Sequence, residues 1–291
     1  MSDKTKAHLS AKTLWVLFIL GLVNAVMYCF PYIRYVFYDQ QIAAMGITNT
    51  QSGILMTIYA AANTITLIPG GILADKWSVK KCLVGSILGS VVIGIIYALT
   101  MNFAVACVLW AGLGVSTIFV FWAAITKAVG QVGTAEEQGM CYGIYYAANG
   151  TTAAIIAAVN LWAYNAGGGD SNMKSGFFWA VVSMAAFTLL ATILIAIFLE
   201  GKSDKDLSTA EEDKFHFGDV VTVLKNPAVW MISVVFFCVY GVYSCSSYFT
   251  PYLTDIVKLS TTAAGVCAIL RQYIVMLVAA PLGGILADKV F

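Results

Sequence analysis

Gly70-Gly71-Ile72-Leu73-Ala74-Asp75-Lys76 returns without a change as Gly283-Gly284-Ile285-Leu286-Ala287-Asp288-Lys289, 213 positions further on. Each copy closes a long apolar run, and the match extends upstream: Gln51-Ser52-Gly53 corresponds to Ala263-Ala264-Gly265, and Pro69 to Pro281. Seven identical residues at equivalent points of two apolar runs mark an internal duplication with a period of six runs. Gly70, Gly71 and Ala74 give the end of their run a small-residue face that lets another helix approach closely. Asp75 is then a carboxylate at a boundary, placed to meet an opposing helix N-terminus or a lysine of its own loop.

The runs themselves demand lipid. Of the 291 residues, 60% are hydrophobic and only 11% charged, and the mean hydropathy is +0.84; no soluble domain of this size has so little polar surface to offer water. A helix needs about 20 apolar residues to cross the hydrocarbon, because every backbone group must be satisfied within the segment. Eight stretches qualify, near 14–37, 51–74, 81–101, 103–126, 138–162, 175–199, 228–252 and 262–287. The first is full length and lacks a small-residue cleavage site, so it reads as a retained span.

Lys4, Lys6, Lys12, Lys76, Lys80, Lys81, Lys127, Lys202, Lys205, Lys214, Lys225 and Lys289 fall on one side of the implied membrane; Arg34, Lys174 and Lys258 fall on the other. Twelve against three places the N-terminus in the cytoplasm of a multi-pass cell (inner or plasma) membrane protein. The polar stretch near 200–227 divides six spans from two, giving a first unit at 1–199, a cytoplasmic linker at 200–227 whose Phe215–Leu224 segment reads as an amphipathic surface helix, and a second unit at 228–291. A net charge of +1 with scattered lysines excludes a nucleic-acid surface. The seven cysteines, without a CxxC or a nearby histidine, read as apolar fillers rather than metal or redox groups. No nucleophile with a base, paired acids or phosphate loop points to an enzyme, and no cofactor is expected.

Gly-x-Leu-Ala-Asp-Lys followed by the basic loop Asp75-Lys76-Trp77-Ser78-Val79-Lys80-Lys81, with its echo after the eighth span, resembles the signature of the major facilitator superfamily. Ser78 stands where that signature usually has glycine. The resemblance implies an all-α membrane protein with eight of the family's twelve helices, a substrate site between two halves, and alternating access. It also implies a cytoplasmic latch made by Gly71, Asp75, Lys76, Lys80 and Lys81 with Gly284, Asp288 and Lys289; the simpler alternative is that the lysines only set topology. Because the chain stops inside the second signature, it reads as a partial chain, poorly active alone.

Charges inside spans are costly and so are functional candidates. Arg34 lies late in the first span, on a face with Asn24, Met27 and Pro31, and Pro31 is placed to break that helix; Arg271 lies mid-span beside Gln272. Two arginines without a deep carboxylate describe an anion site. The alternatives are an Arg34 that snorkels outward to Asp39, and an Arg271 paired with a residue of a further helix. Tyr59 and Asn63, Tyr145 and Asn149, and Tyr240 and Ser244 follow helical spacing and would line a cavity or serve as interhelical hydrogen-bond glue. Tyr32-Ile33-Arg34, Lys127 through Glu136-Glu137-Gln138-Gly139, and Tyr145-Tyr146-Ala147-Ala148-Asn149-Gly150 resemble segments of organophosphate:phosphate antiporters. That resemblance implies a small organic anion as substrate, of the sugar phosphate, sulfonate or carboxylate class. With no deep Asp or Glu to carry a proton in the eight spans, exchange against a counter-anion or uniport is favoured over proton coupling, unless a further helix holds the coupling residue. Two departures stand against it: Ala148 replaces a histidine common there, and the seventh span has no arginine, a role left to Arg271. The rival expectation is a transporter-like receptor that binds a ligand without flux.

Overall fold

The computed structural model describes residues 9–133, 137–199 and 224–274, without the side chains of Asp75 and Ile274. The first span is two helices, α1 (Ala11–Met27) and α2 (Arg34–Met45), separated by a run of turns around Pro31. There follow α3 (Asn49–Lys76), α4 (Val79–Thr100), α5 (Phe103–Ile118), α6 (Phe121–Gly130), α7 (Gln138–Ala166) and α8 (Met173–Phe198). After the linker come α9 (Pro227–Cys245), short helical turns through Ile256, and α10 (Thr261–Ile269), which widens into a π-type turn at Leu270–Ile274. The Phe215–Leu224 amphipathic segment and the end of the eighth span lie largely outside the described residues.

Among the described residues five helical stretches are long and apolar enough to cross a membrane: Asn49–Ala74, Val79–Thr100, Phe103–Gly130, Met173–Phe198 and Pro227–Ile256. The third of these is α5 and α6 taken together across a bend. α7 has the length, at 29 residues, but Tyr142, Tyr145, Tyr146, Asn149 and Asn160 dilute its apolar content. Side-chain caps set several helix starts. Thr48 and Gln51 form a reciprocal capping box at α3 (2.9 and 3.2 Å), Asn102 caps α5, and Asn226 caps α9 ahead of Pro227; such caps contribute about 1 kcal/mol each.

The first six spans close into a bundle in which α1 packs on α7 and α8, α3 on α5, and α4 on α5 and α8. One core cluster gathers Leu20, Ile87, Phe121 and Cys141; the other gathers Phe37, Tyr97, Trp110 and Phe177. Close approach depends on glycine at two points. A Cβ on Gly21 would lie 2.8 Å from the Asn149 backbone nitrogen, and one on Gly70 would strike the Phe119 carbonyl. Gly71, by contrast, faces open space, and Ala74 is buried. Ser78 has φ −59°, a conformation any residue adopts, so its turn does not require the usual glycine. The Asp75 side chain and Gly284, Asp288 and Lys289 lie outside the described residues, so of the expected latch only Gly71, Lys76, Lys80 and Lys81 have a described place, at the α3–α4 turn.

α9 buries none of its side chains. The elements that follow it meet the bundle mainly on α2 and α7.

Candidate functional site

Pro31 supplies no backbone N–H, and the chain from Tyr28 to Ile33 runs as turns instead of helix. The break opens a cavity of about 650 Å³ at the centre of the protein, within the range of about 300–1,000 Å³ usual for small-molecule sites. Asn24, Tyr28, Cys29, Tyr32 and Tyr35 line it from the first span. Tyr59 and Asn63 reach it from α3, Trp122 from α6, Asn149 from α7, Tyr240 and Tyr243 from α9, and Gln272 and Tyr273 from the last turn. Irregular backbone at membrane depth is tolerated where it lines a cavity in this way.

The lining is aromatic and neutral-polar; among the described residues none with a charged side chain lines it. Tyr59 Oη and Thr117 Oγ1 share a 3.0 Å hydrogen bond, and Thr117 reaches Asn63 Oδ1 at 3.5 Å. Tyr32 stands edge-on to Tyr59 at 6.0 Å and to Tyr35 at 5.3 Å, and Tyr35 stacks on Tyr243 at 5.8 Å. Gln272 Nε2 donates to the Tyr243 hydroxyl at 2.6 Å. Asn24 is 6% exposed, and its Oδ1 has no partner among the described residues. A buried acceptor without a donor is costly unless something supplies one.

Of the residues expected to bind substrate, Tyr59, Asn63, Asn149 and Tyr240 meet in this cavity. Tyr145 is buried beside Tyr142 and Tyr146 and is not in the lining, and Ser244 is exposed, its carbonyl accepting from Ser247 at 2.9 Å. Arg271 stands at the edge. Its Nη2 donates to Gln272 Oε1 at 3.4 Å, its Cζ sits 4.9 Å over the Phe249 ring, and its Nε has no partner among the described residues. It lies within electrostatic reach of Tyr35 and Tyr243, both of which line the cavity.

Arg34 lies away from the lining. It is 4% exposed, donates from Nη1 to the Ser52 carbonyl at 3.3 Å, and leaves Nε and Nη2 without a partner among the described residues. Arg34 does not join Asn24 at the cavity: Asn24 lines it, Met27 is buried with its sulfur accepting from Ser90, and Tyr35, one residue beyond Arg34, takes the lining position. Nor does Arg34 snorkel out to Asp39, whose carboxylate accepts from Thr254 Oγ1 at 2.9 Å.

The Major Facilitator Superfamily profile matches residues 13–291. The chain belongs to that superfamily. Among curated proteins, it is 26% identical to the inner membrane protein YqcE of Escherichia coli over 276 residues, which is 94% of this chain and 64% of that protein. It is also 26% identical to the inner membrane protein YihN of the same organism, over 96% of this chain and 66% of the relative. The chain thus spans slightly less than two thirds of the length of these relatives. As a Major Facilitator protein it is a multi-pass, all-α membrane protein, and its central cavity lies where the six-span bundle meets the elements from α9 onward.

Tyr28, Tyr32, Tyr35, Trp122, Gln272 and Tyr273 were not picked out by the sequence reading as lining residues. For the first three a signal existed: together with Asn24 they are spaced four, four and three residues apart, close to one helical face.

Proposed function

We propose that this chain forms the ligand-binding part of a secondary transporter that carries a small organic anion across a cell membrane by alternating access. The observation that carries the reading is the central cavity with Arg271 at its edge, a guanidinium with a free Nε and no carboxylate placed against it among the described residues. Arg271 supplies the positive charge, Gln272 orients it, and Asn24, Asn63, Asn149 and the tyrosines meet the uncharged remainder of the ligand. A sugar phosphate, sulfonate or hydroxycarboxylate has the needed combination of one anionic end and several hydroxyls. The reaction makes and breaks no covalent bond, so no enzymatic group is assigned.

The cytoplasmic side is assigned to the end bearing Lys76, Lys80 and Lys81, and the Arg34 end faces outward. Asp75, with the second copy Gly284, Asp288 and Lys289, is assigned to closing the cytoplasmic end when the halves rock. Uptake of glucose 6-phosphate, glucuronate and propanesulfonate into proteoliposomes, with and without a pH gradient or an internal counter-anion, tests the reading. Saturable uptake of at least one anion, abolished by excess unlabelled anion, is expected. Binding without flux would move the chain to a receptor, and neither binding nor flux of any anion would remove the arginine-based assignment.

A further inference from the structure

We propose that Arg34 is a gate residue, which fastens the two halves together at the outer end of the cavity by holding its guanidinium against Tyr38 and Tyr248. The proposal rests on the transporter reading in one respect only, that this end opens during the cycle.

The guanidinium carbon lies 4.9 Å from the Tyr38 ring centroid and 5.1 Å from that of Tyr248. Tyr38 is one turn along α2 and the Ser52 carbonyl belongs to α3, so these two partners tie Arg34 to its own half. Tyr248 alone comes from the other half, and it is half exposed. Beside this contact Thr250 Oγ1 donates to the Tyr35 carbonyl at 3.3 Å and Tyr35 stacks on Tyr243, so the arginine sits in the seam where the halves meet.

The energetics suit a gate. A guanidinium is a planar cation well matched to an aromatic face, and the attraction strengthens when water is excluded. Against that, Nε and Nη2 are buried without an acceptor, which is unfavourable. Parting Tyr248 from Arg34 exchanges a ring contact for hydration of those two nitrogens. The two terms oppose each other, which leaves the seam closed but able to open.

Cys29 lines the cavity and is a natural reporter. With the other six cysteines replaced by alanine, its labelling by a membrane-impermeant maleimide is measured from each face of oriented proteoliposomes. Arg34→Gln is expected to raise labelling from the Arg34 side about threefold, the loss of one ring contact partly offset by removal of the two unpaired nitrogens. Tyr248→Leu, at a half-exposed position that tolerates change, should do the same, and the double variant should add little more, because both remove one contact. Arg34→Lys should fall between, keeping charge but not planarity. Affinity for glucose 6-phosphate is followed in parallel and should change less than about threefold.

Unchanged labelling in Tyr248→Leu would overturn the proposal, as would unchanged labelling in Arg34→Gln with lost anion affinity, which would make Arg34 a ligand of the anion. Labelling decides the matter even if no anion binds any variant, so failure of the gate and failure of the transport reading are told apart.

Discussion

Replacing Arg271 by alanine removes a cation from the cavity's edge and is expected to weaken anion binding by roughly 30- to 150-fold. The figure follows from how the side chain is engaged. One nitrogen, Nη2, is held by Gln272 at a long 3.4 Å, while Nε has no partner among the described residues. An anion gains charge-assisted bonds from Nε and from the arm nearest it, and such bonds are worth about 1.5–3 kcal/mol each, of which the partial use of Nη2 leaves about 2–3 kcal/mol for the pair. Arg271→Lys keeps the charge and loses the fork, so it should recover about half of the lost free energy. The folded protein should tolerate both, since the contact with Phe249 at 4.9 Å is a single ring interaction of about 1 kcal/mol. Titration of purified protein with glucose 6-phosphate, glucuronate and propanesulfonate, at two salt concentrations, reads the affinity directly. An Arg271→Ala chain that binds these anions as tightly as the parent does would refute the role given to Arg271.

Gly70→Ala drives a Cβ onto the Phe119 carbonyl and should cost about 1–3 kcal/mol, seen as a lower Tm in detergent, whereas Gly71→Ala meets open space and should leave Tm unchanged. Asn24→Leu removes a buried acceptor without a partner, so Tm should hold or rise while anion affinity falls about tenfold; a fall in Tm would mean that Asn24 serves the fold instead. Thr254→Val breaks the 2.9 Å bond to Asp39, a hydrogen bond to a carboxylate worth about 1.5–3 kcal/mol, and should raise outer-face labelling of Cys29 in the same direction as Arg34→Gln.

The family and the all-helical membrane architecture were legible because both rest on long signals. Apolar runs are fixed by bilayer thickness, and the Gly70–Lys76 repeat identifies two equivalent helix ends. Helix starts were legible to within a few residues where a capping side chain stands, as at Thr48 and Asn226. The bend between α5 and α6 was not, since nothing at Phe119–Val120 is a breaker by type. That bend is where Gly70 lets α3 touch backbone, an interhelical effect that no local propensity encodes.

The site shows a different limit. Tyr59, Asn63, Asn149 and Tyr240 could be found because each sits on a helix that continues past the cavity, where spacing of three or four residues maps directly onto a face. The first span does not continue. Pro31 was correctly expected to interrupt it, but Arg34 does not share the face of Asn24: at about 100° per residue the two stand about 80° apart, while Tyr35 returns to within about 20°. Arg34 lies instead against Tyr38 and the Ser52 carbonyl. Seven tyrosines then replace charge as the main lining of the cavity. Hydroxyls and ring faces can hold a polar ligand without the large desolvation cost that a buried ion would add. Among the described residues Arg271 stands at the edge and Arg34 in the seam rather than in the lining, and on the proposed gating that confines the cost to closure of the ends.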